Sequence, residues 1–214
     1  MRRRVSTLKC RALENNASLP FNSFAFGLAW VALLPACQNP DDIIQAARFG
    51  DLEKLVDCIE SGIPVDHADP VGETALFHIV GMGSDEGFRL LLENDADIHH
   101  RDRQGDTTLH KAMTFDQRGL ASHLIERGLD INATNKVGAT ALHYAVRSGN
   151  LGMVEFLVEK GAEVEVQDAD GNSPAEVAQA MSEQGGLSGP MGRPISKKQA
   201  HKIILALTKP TTDK

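Results

Sequence analysis

Apolar residues recur along this chain as paired short clusters, and each pair returns after 33 residues. Between residues 138 and 170 the first cluster is Leu142, Ala145 and Val146, spaced to line one face of a helix. The second cluster, Met153, Val154, Phe156, Leu157 and Val158, makes a wider face on a second helix. Gly149-Asn150 predicts the turn between them, and Gly161 predicts the end of the second helix. Segments 105–137 and 72–104 lie over 138–170 without a gap, and Gly72, Gly105, Gly138 and Gly171 mark the interval. Gly138 stands at the tip of a hairpin arm, where positive φ is cheap only for glycine. One such unit cannot bury two apolar faces alone, so neighbours must stack. A fixed period of this length predicts an all-α repeat solenoid with hairpin fingers.

The period and its T-x-L-H-x-A core resemble the ankyrin repeat. Thr140, Leu142, His143, Ala145, Gly149, Gly161 and Ala162 stand where that pattern wants them. The resemblance implies about five repeats over residues 41–214, the terminal ones degenerate. In the first, Ile43, Ala46, Ala47, Leu52 and Leu55 keep the buried pattern, and Asp41 takes the capping position. Asp42, Gln45 and Arg48 leave its outer side polar, as an N-terminal cap requires. The second repeat has Phe77 where histidine is usual, and Asp95 where a glycine ends the helix. Gly81 and Gly83 are expected to loosen its first helix by about 1 kcal/mol each relative to alanine. The third has Asp116-Gln117 at the mid-turn. The fifth starts at Ser173-Pro174 and meets a glycine-proline loop at 185–194, read either as slack or as a contact element. A helix from Ser196, with Ile203, Ile204 and Leu207 on one face, closes the array.

Residues 1–36 differ in kind. A basic start, Arg2, Arg3, Arg4, Lys9 and Arg11, precedes the uncharged run 24–34. That run is about half the roughly 20 residues a membrane span needs, so it reads as a secretory signal. The length of the basic region leaves a start downstream of Met1 open. Leu34-Pro35-Ala36-Cys37 resembles the bacterial lipobox, which implies cleavage before Cys37, a lipid on that cysteine and a short tether at 37–40. An ordinary cleaved signal or a short anchor are the alternatives. Gln38, rather than aspartate, after the cysteine points to the outer membrane of a Gram-negative bacterium, facing the periplasm. Loss of 1–36 removes five basic residues and one acidic one, leaving 17 Lys and Arg against 28 Asp and Glu, a net charge of −11. That balance argues against nucleic acid as a partner. With Cys37 lipidated, Cys58 is a lone thiol on an apolar helix face.

No phosphate loop, nucleophile elbow or H-E-x-x-H pattern occurs, and no catalytic residue, metal site, cofactor or small-molecule substrate is predicted. The resemblance gives His110 and His143 a structural duty between neighbouring turns. His67, His99 and His100 lie on hairpin arms and form a weak metal candidate. The resemblance further implies a concave groove for another protein. Its tip positions include Arg103, Gln104 and Asp106, then Lys136, then Asp170. Its helix-end positions include Arg48, Met82, Thr114 and Arg147. Positions 49, 82, 115, 148 and 181 form one column, Phe49, Met82, Phe115, Ser148 and Met181. The column is read either as packing on the next repeat or as an exposed apolar stripe. Two functions follow. One is an immunity-type inhibitor of a toxic enzyme, such as a secreted phospholipase. The other is a scaffold that localises or protects a periplasmic enzyme.

Overall fold

A computed structural model describes residues 37–183 and 196–208. The expected signal segment and the loop 185–194 lie outside the described residues. Five helix pairs follow in order: α1 (Asp41–Phe49) with α2 (Leu52–Glu60), α3 (Ala75–Met82) with α4 (Asp85–Glu93), α5 (Thr108–Thr114) with α6 (Arg118–Glu126), α7 (Ala141–Arg147) with α8 (Leu151–Glu159), and α9 (Pro174–Glu183) with α10 (Lys197–Thr208). Each first helix packs on its own partner and on the next first helix, so the apolar faces merge into one continuous core.

Small residues set the spacing. Ala46, Ala112, Ala145 and Ala178 occupy one buried position at the 33-residue interval. The exception is Ile79 in α3, and its bulk is matched by Gly87 in α4. A Cβ on Gly87 would lie 2.7 Å from Ile79 Cδ1, and the positions equivalent to Gly87 in α6 and α8 are Leu120 and Met153. Volume is conserved across the pair, as a close-packed interior demands.

The turns follow the same register. Gly50, Gly83 and Gly149 share the mid-turn position with φ of 68°, 77° and 70°, and Asp116 fills it at 59°. Gly83 therefore closes α3 as its left-handed C-cap instead of loosening it, and only Gly81 lies inside the helix. Asp95 likewise adopts φ 63° where Gly62, Gly128 and Gly161 stand elsewhere. Aspartate tolerates this region better than most residues.

Two N-terminal expectations change. Asp41 is the first helical residue of α1 and caps nothing. Its amide donates to Asn39 Oδ1, while the Asp42 carboxylate accepts the amides of Gln38 and Asn39 at 3.1 Å. Residues 37–40 are thus docked on the first repeat, and Cys37 is no free tether. Its sulfur is buried and bonded to Cys58 across 21 residues, with Cα atoms 5.1 Å apart. Cys58, expected as a lone thiol, has a partner in this structure, and a sulfur in that bond cannot also carry a thioether-linked lipid.

Residue 77 shows what the repeat's histidine does. In α5 and α7 the Nδ1 of His110 and His143 accepts the amides of Thr107 and Thr140 at 3.1 Å and lies 2.9 Å from their hydroxyls. With Phe77 at the third site, Thr74 Oγ1 is fully buried without a partner. An orphaned buried hydroxyl is a net cost, whereas a paired one is not. Thr74→Val is expected to leave stability unchanged or raise it by about 1 kcal/mol, and Thr107→Val to lower it by about 1–2 kcal/mol. Urea denaturation of the two variants checks the opposite signs.

Candidate protein-binding face

The fingers are built by one side chain used four times. Asp69, Asp102, Asn135 and Asp168 each fold an Oδ1 back onto two amides, two and four residues ahead, at 2.8–3.1 Å. Such side-chain-to-backbone bonds hold a tight turn without a strand ladder. Successive tips are tied by single backbone bonds, from Arg103 N to Val71 O, Lys136 N to Gln104 O and Ala169 N to Val137 O. The expected hairpin arms are therefore turns in a rung-by-rung stack, with one isolated bridge, Ala68 to Thr74, among the described residues.

Polar side chains join fingers to helices across repeats. Arg48 in α1 reaches Asp69 at 3.4 Å, and Arg147 in α7 reaches Asp168 at 3.1 Å. Glu73 pairs with Lys111 in α5, and Asp106 receives the Tyr144 hydroxyl at 2.8 Å and the Asn135 amide at 2.8 Å. Glu73–Lys111 and Asp106–Tyr144 both span 38 residues, so one bridge repeats with new chemistry. Burial and the Asp106 carboxylate push the Tyr144 phenol far up, keeping it a donor. Glu73, Lys111 and Tyr144 organise this face, and helix periodicity alone had not singled them out. Their role follows only once the interval of 38 is seen in space.

The apolar column divides. Phe49, Met82 and Phe115 are 75%, 49% and 39% exposed. Each of the latter two leans back on the preceding repeat: Met82 over Gly50, and Phe115 over Gly81, with Lys111 Nζ 5.4 Å from its ring centroid. The packing is thus on the preceding repeat and not, as expected, on the next one, and it leaves these side chains partly exposed. Met181 is 4% exposed and belongs to the core, because α10 packs over α9 at the closing end of the array. Ser148 and Thr114 are half-buried, with hydroxyls turned back to the carbonyls of Ala145 and His110. Arg103, Gln104, Lys136 and Asp170 are exposed at the tips, and Asp106 is half-buried beneath them. The exposed tips also include Val71 and Val137.

The weak metal candidate is not assembled. His67 Nε2 lies 2.8 Å from Asp41, and His100 Nε2 lies 2.8 Å from the Gly72 carbonyl. Among the described residues it is Asp69, Glu73 and His78 that converge, within 4.8 Å. His78 approaches Asp69 at 3.4 Å and Glu73 at 3.6 Å, but each carboxylate already holds a cation, Arg48 or Lys111. The chemistry is an ion-pair node across three repeats. Burial holds His78 below the usual histidine value, opposed by the two carboxylates. Burial raises Asp69, yet the amides of Glu73 and Val71, with His78, carry it below the usual carboxylate value.

His110 and His143 complete the links between turns. With Nδ1 accepting, the proton sits on Nε2, 3.1 Å from the carbonyls of Ala139 and Asn172 one finger on. Burial holds both rings below the ordinary value of 6.5. The unfolded chain takes up these protons near 6.5 and the folded chain only at lower pH, so the unfolded state binds more protons in that window. Stability is therefore expected to fall as pH drops below about 6.5, read as a declining Tm. Imidazole 15N shifts should report the Nε2–H tautomer for the neutral rings of both residues, with protonation setting in at lower pH than for a free imidazole.

Two family models match the chain: ankyrin repeats (3 copies) over residues 43–135 and ankyrin repeats (many copies) over residues 124–178. No curated protein matches it at a significant level. Together the two matches span residues 43–178, the stacked helix pairs and fingers described above. The protein belongs to the ankyrin-repeat family of protein–protein interaction modules.

Proposed function

We propose that this protein is a non-enzymatic inhibitor of a toxic enzyme, an immunity-type protein exported to the periplasm that covers its target with the helix–finger face. The observation that carries the reading is the set Phe49, Met82 and Phe115, large apolar side chains left open on a rigid face rimmed by charged tips. Apolar anchors inside a polar rim are how protein interfaces gain affinity, and each contributes about 1.5–3 kcal/mol when fully buried. Blocking an enzyme needs only stoichiometric coverage, which a preformed surface supplies with little ordering cost. A secreted phospholipase is one such target. The basic-then-apolar segment of residues 1–36 supports export.

Co-purification from the native host tests the function. A tagged protein is expected to capture one enzyme in equal amount and to abolish its activity, while Phe49→Asp/Phe115→Asp loses it. Capture with unchanged enzyme activity would mean a scaffold instead. Equal capture by the double variant would overturn the face as the contact.

The fate of Cys37 decides how the protein is held. A disulfide to Cys58 suits the oxidising periplasm. Lipid anchorage at the outer membrane needs the same sulfur, and each buried CH₂ of such a lipid contributes about 0.8 kcal/mol. Intact mass of protein purified from its host is expected to show the disulfide, with no cysteine of the pair alkylated before reduction. A diacylglyceryl addition, with Cys58 alkylated only after denaturation, would overturn the bond and establish the tether.

A further inference from the structure

The face makes one pairing in two repeats and departs from it in the two between, only one of which keeps the acid. Arg48 in α1 meets Asp69, and Arg147 in α7 meets Asp168, each 21 positions on in the chain. In α5 the matching pair is Thr114 and Asn135, where neither residue carries charge. In α3 it is Gly81 and Asp102, a carboxylate in register with a position that has no side chain.

Asp102 spends Oδ1 on the amides of Gln104 and Asp106, both at 2.8 Å. Among the described residues no cation pairs with it. Lys111 goes to Glu73, and the Arg101 guanidinium goes to the carbonyls of Gly105 and Thr134. The charges acting most strongly on Asp102 are those of Asp106 and Glu73, both acidic. Burial, with those two carboxylates, raises its carboxyl above the usual value. The side-chain-free position at Gly81 is bordered by Lys111 Cε and the Phe115 ring, 3.4 and 3.6 Å from where a Cβ would stand. Met82 and Phe115 on either side are exposed.

We propose that Asp102 and the side-chain-free position at Gly81 receive a cationic side chain, an arginine or lysine, presented by the partner protein beside the exposed ring of Phe115. Resting on the helix–finger face as the binding surface, this assigns the chemistry at its centre. The structure itself supplies the precedent, because the same slot in α1 and α7 is filled by the chain's own arginine. A guanidinium there also lies against an aromatic ring, a favourable placement for a cation.

A random peptide display library panned on the full protein purified from its host is the test. Recovered binders are expected to share one arginine or lysine next to an apolar residue. Affinity of a synthesised binder is expected to fall at least about tenfold on Asp102→Asn and on Gly81→Arg. Asp102→Asn keeps the finger turn, since Asn135 holds the same two amide bonds one repeat on. Gly81→Arg fills the slot from α3, copying Arg48 and Arg147. Binders weakened by Phe115→Asp yet indifferent to both these changes would overturn the cation slot and leave the face standing. Binders indifferent to all three, or a library without any, would overturn both.

Discussion

Everything in this molecule depends on a repeat that has two apolar faces and only one partner inside itself. A helix pair such as α5 and α6 buries part of its surface internally and must lend the rest to α3 and α7. Stability is therefore a property of neighbours. The alanine column, with its one exchange of Ile79 against Gly87, shows how tightly the spacing is held.

The two ends answer the same demand differently. At the start, residues 37–40 fold down on the first repeat, and Cys37 joins Cys58 in the core. At the finish, α10 lies against both α8 and α9, and its Gln199 side chain reaches the Gly149 carbonyl. Met181 is buried for this reason, although in register it matches the exposed Phe49 and Phe115. Phe49 is the most open of the column, and among the described residues no earlier repeat stands beneath it.

The helix–finger face is what stacking leaves over. Finger turns hold themselves with Asp or Asn side chains, so their tips are free to vary, and the helix ends pair with them by charge. The acids of these pairs are largely buried and the cations partly open, so the pairing offsets the cost of burying a carboxylate. Their value lies in fixing side-chain positions, with Arg48, Lys111 and Arg147 each committed to one acid. A face ordered in advance loses little entropy when a partner arrives.

Periodicity alone determined the fold class, the helix pairs and most of the core, because burial at a fixed interval leaves the same apolar spacing in every unit. The resemblance to the ankyrin repeat, laid over the same interval, marked Phe49, Met82 and Phe115 as one column. What it left undecided was which column members see solvent, because Met181 and Phe115 are alike in sequence and differ only in what packs above them. It missed the 38-residue bridges from Glu73 to Lys111 and from Asp106 to Tyr144, which join a finger to the following repeat's helix. It read Gly83 as a weakness where the turn geometry makes it a cap. It also left Cys58 without a mate, since only the folded first repeat brings residue 37 beside it. Local spacing records what each unit needs from its neighbours, whereas exposure, pairing and bonding depend on which surfaces the finished stack leaves uncovered.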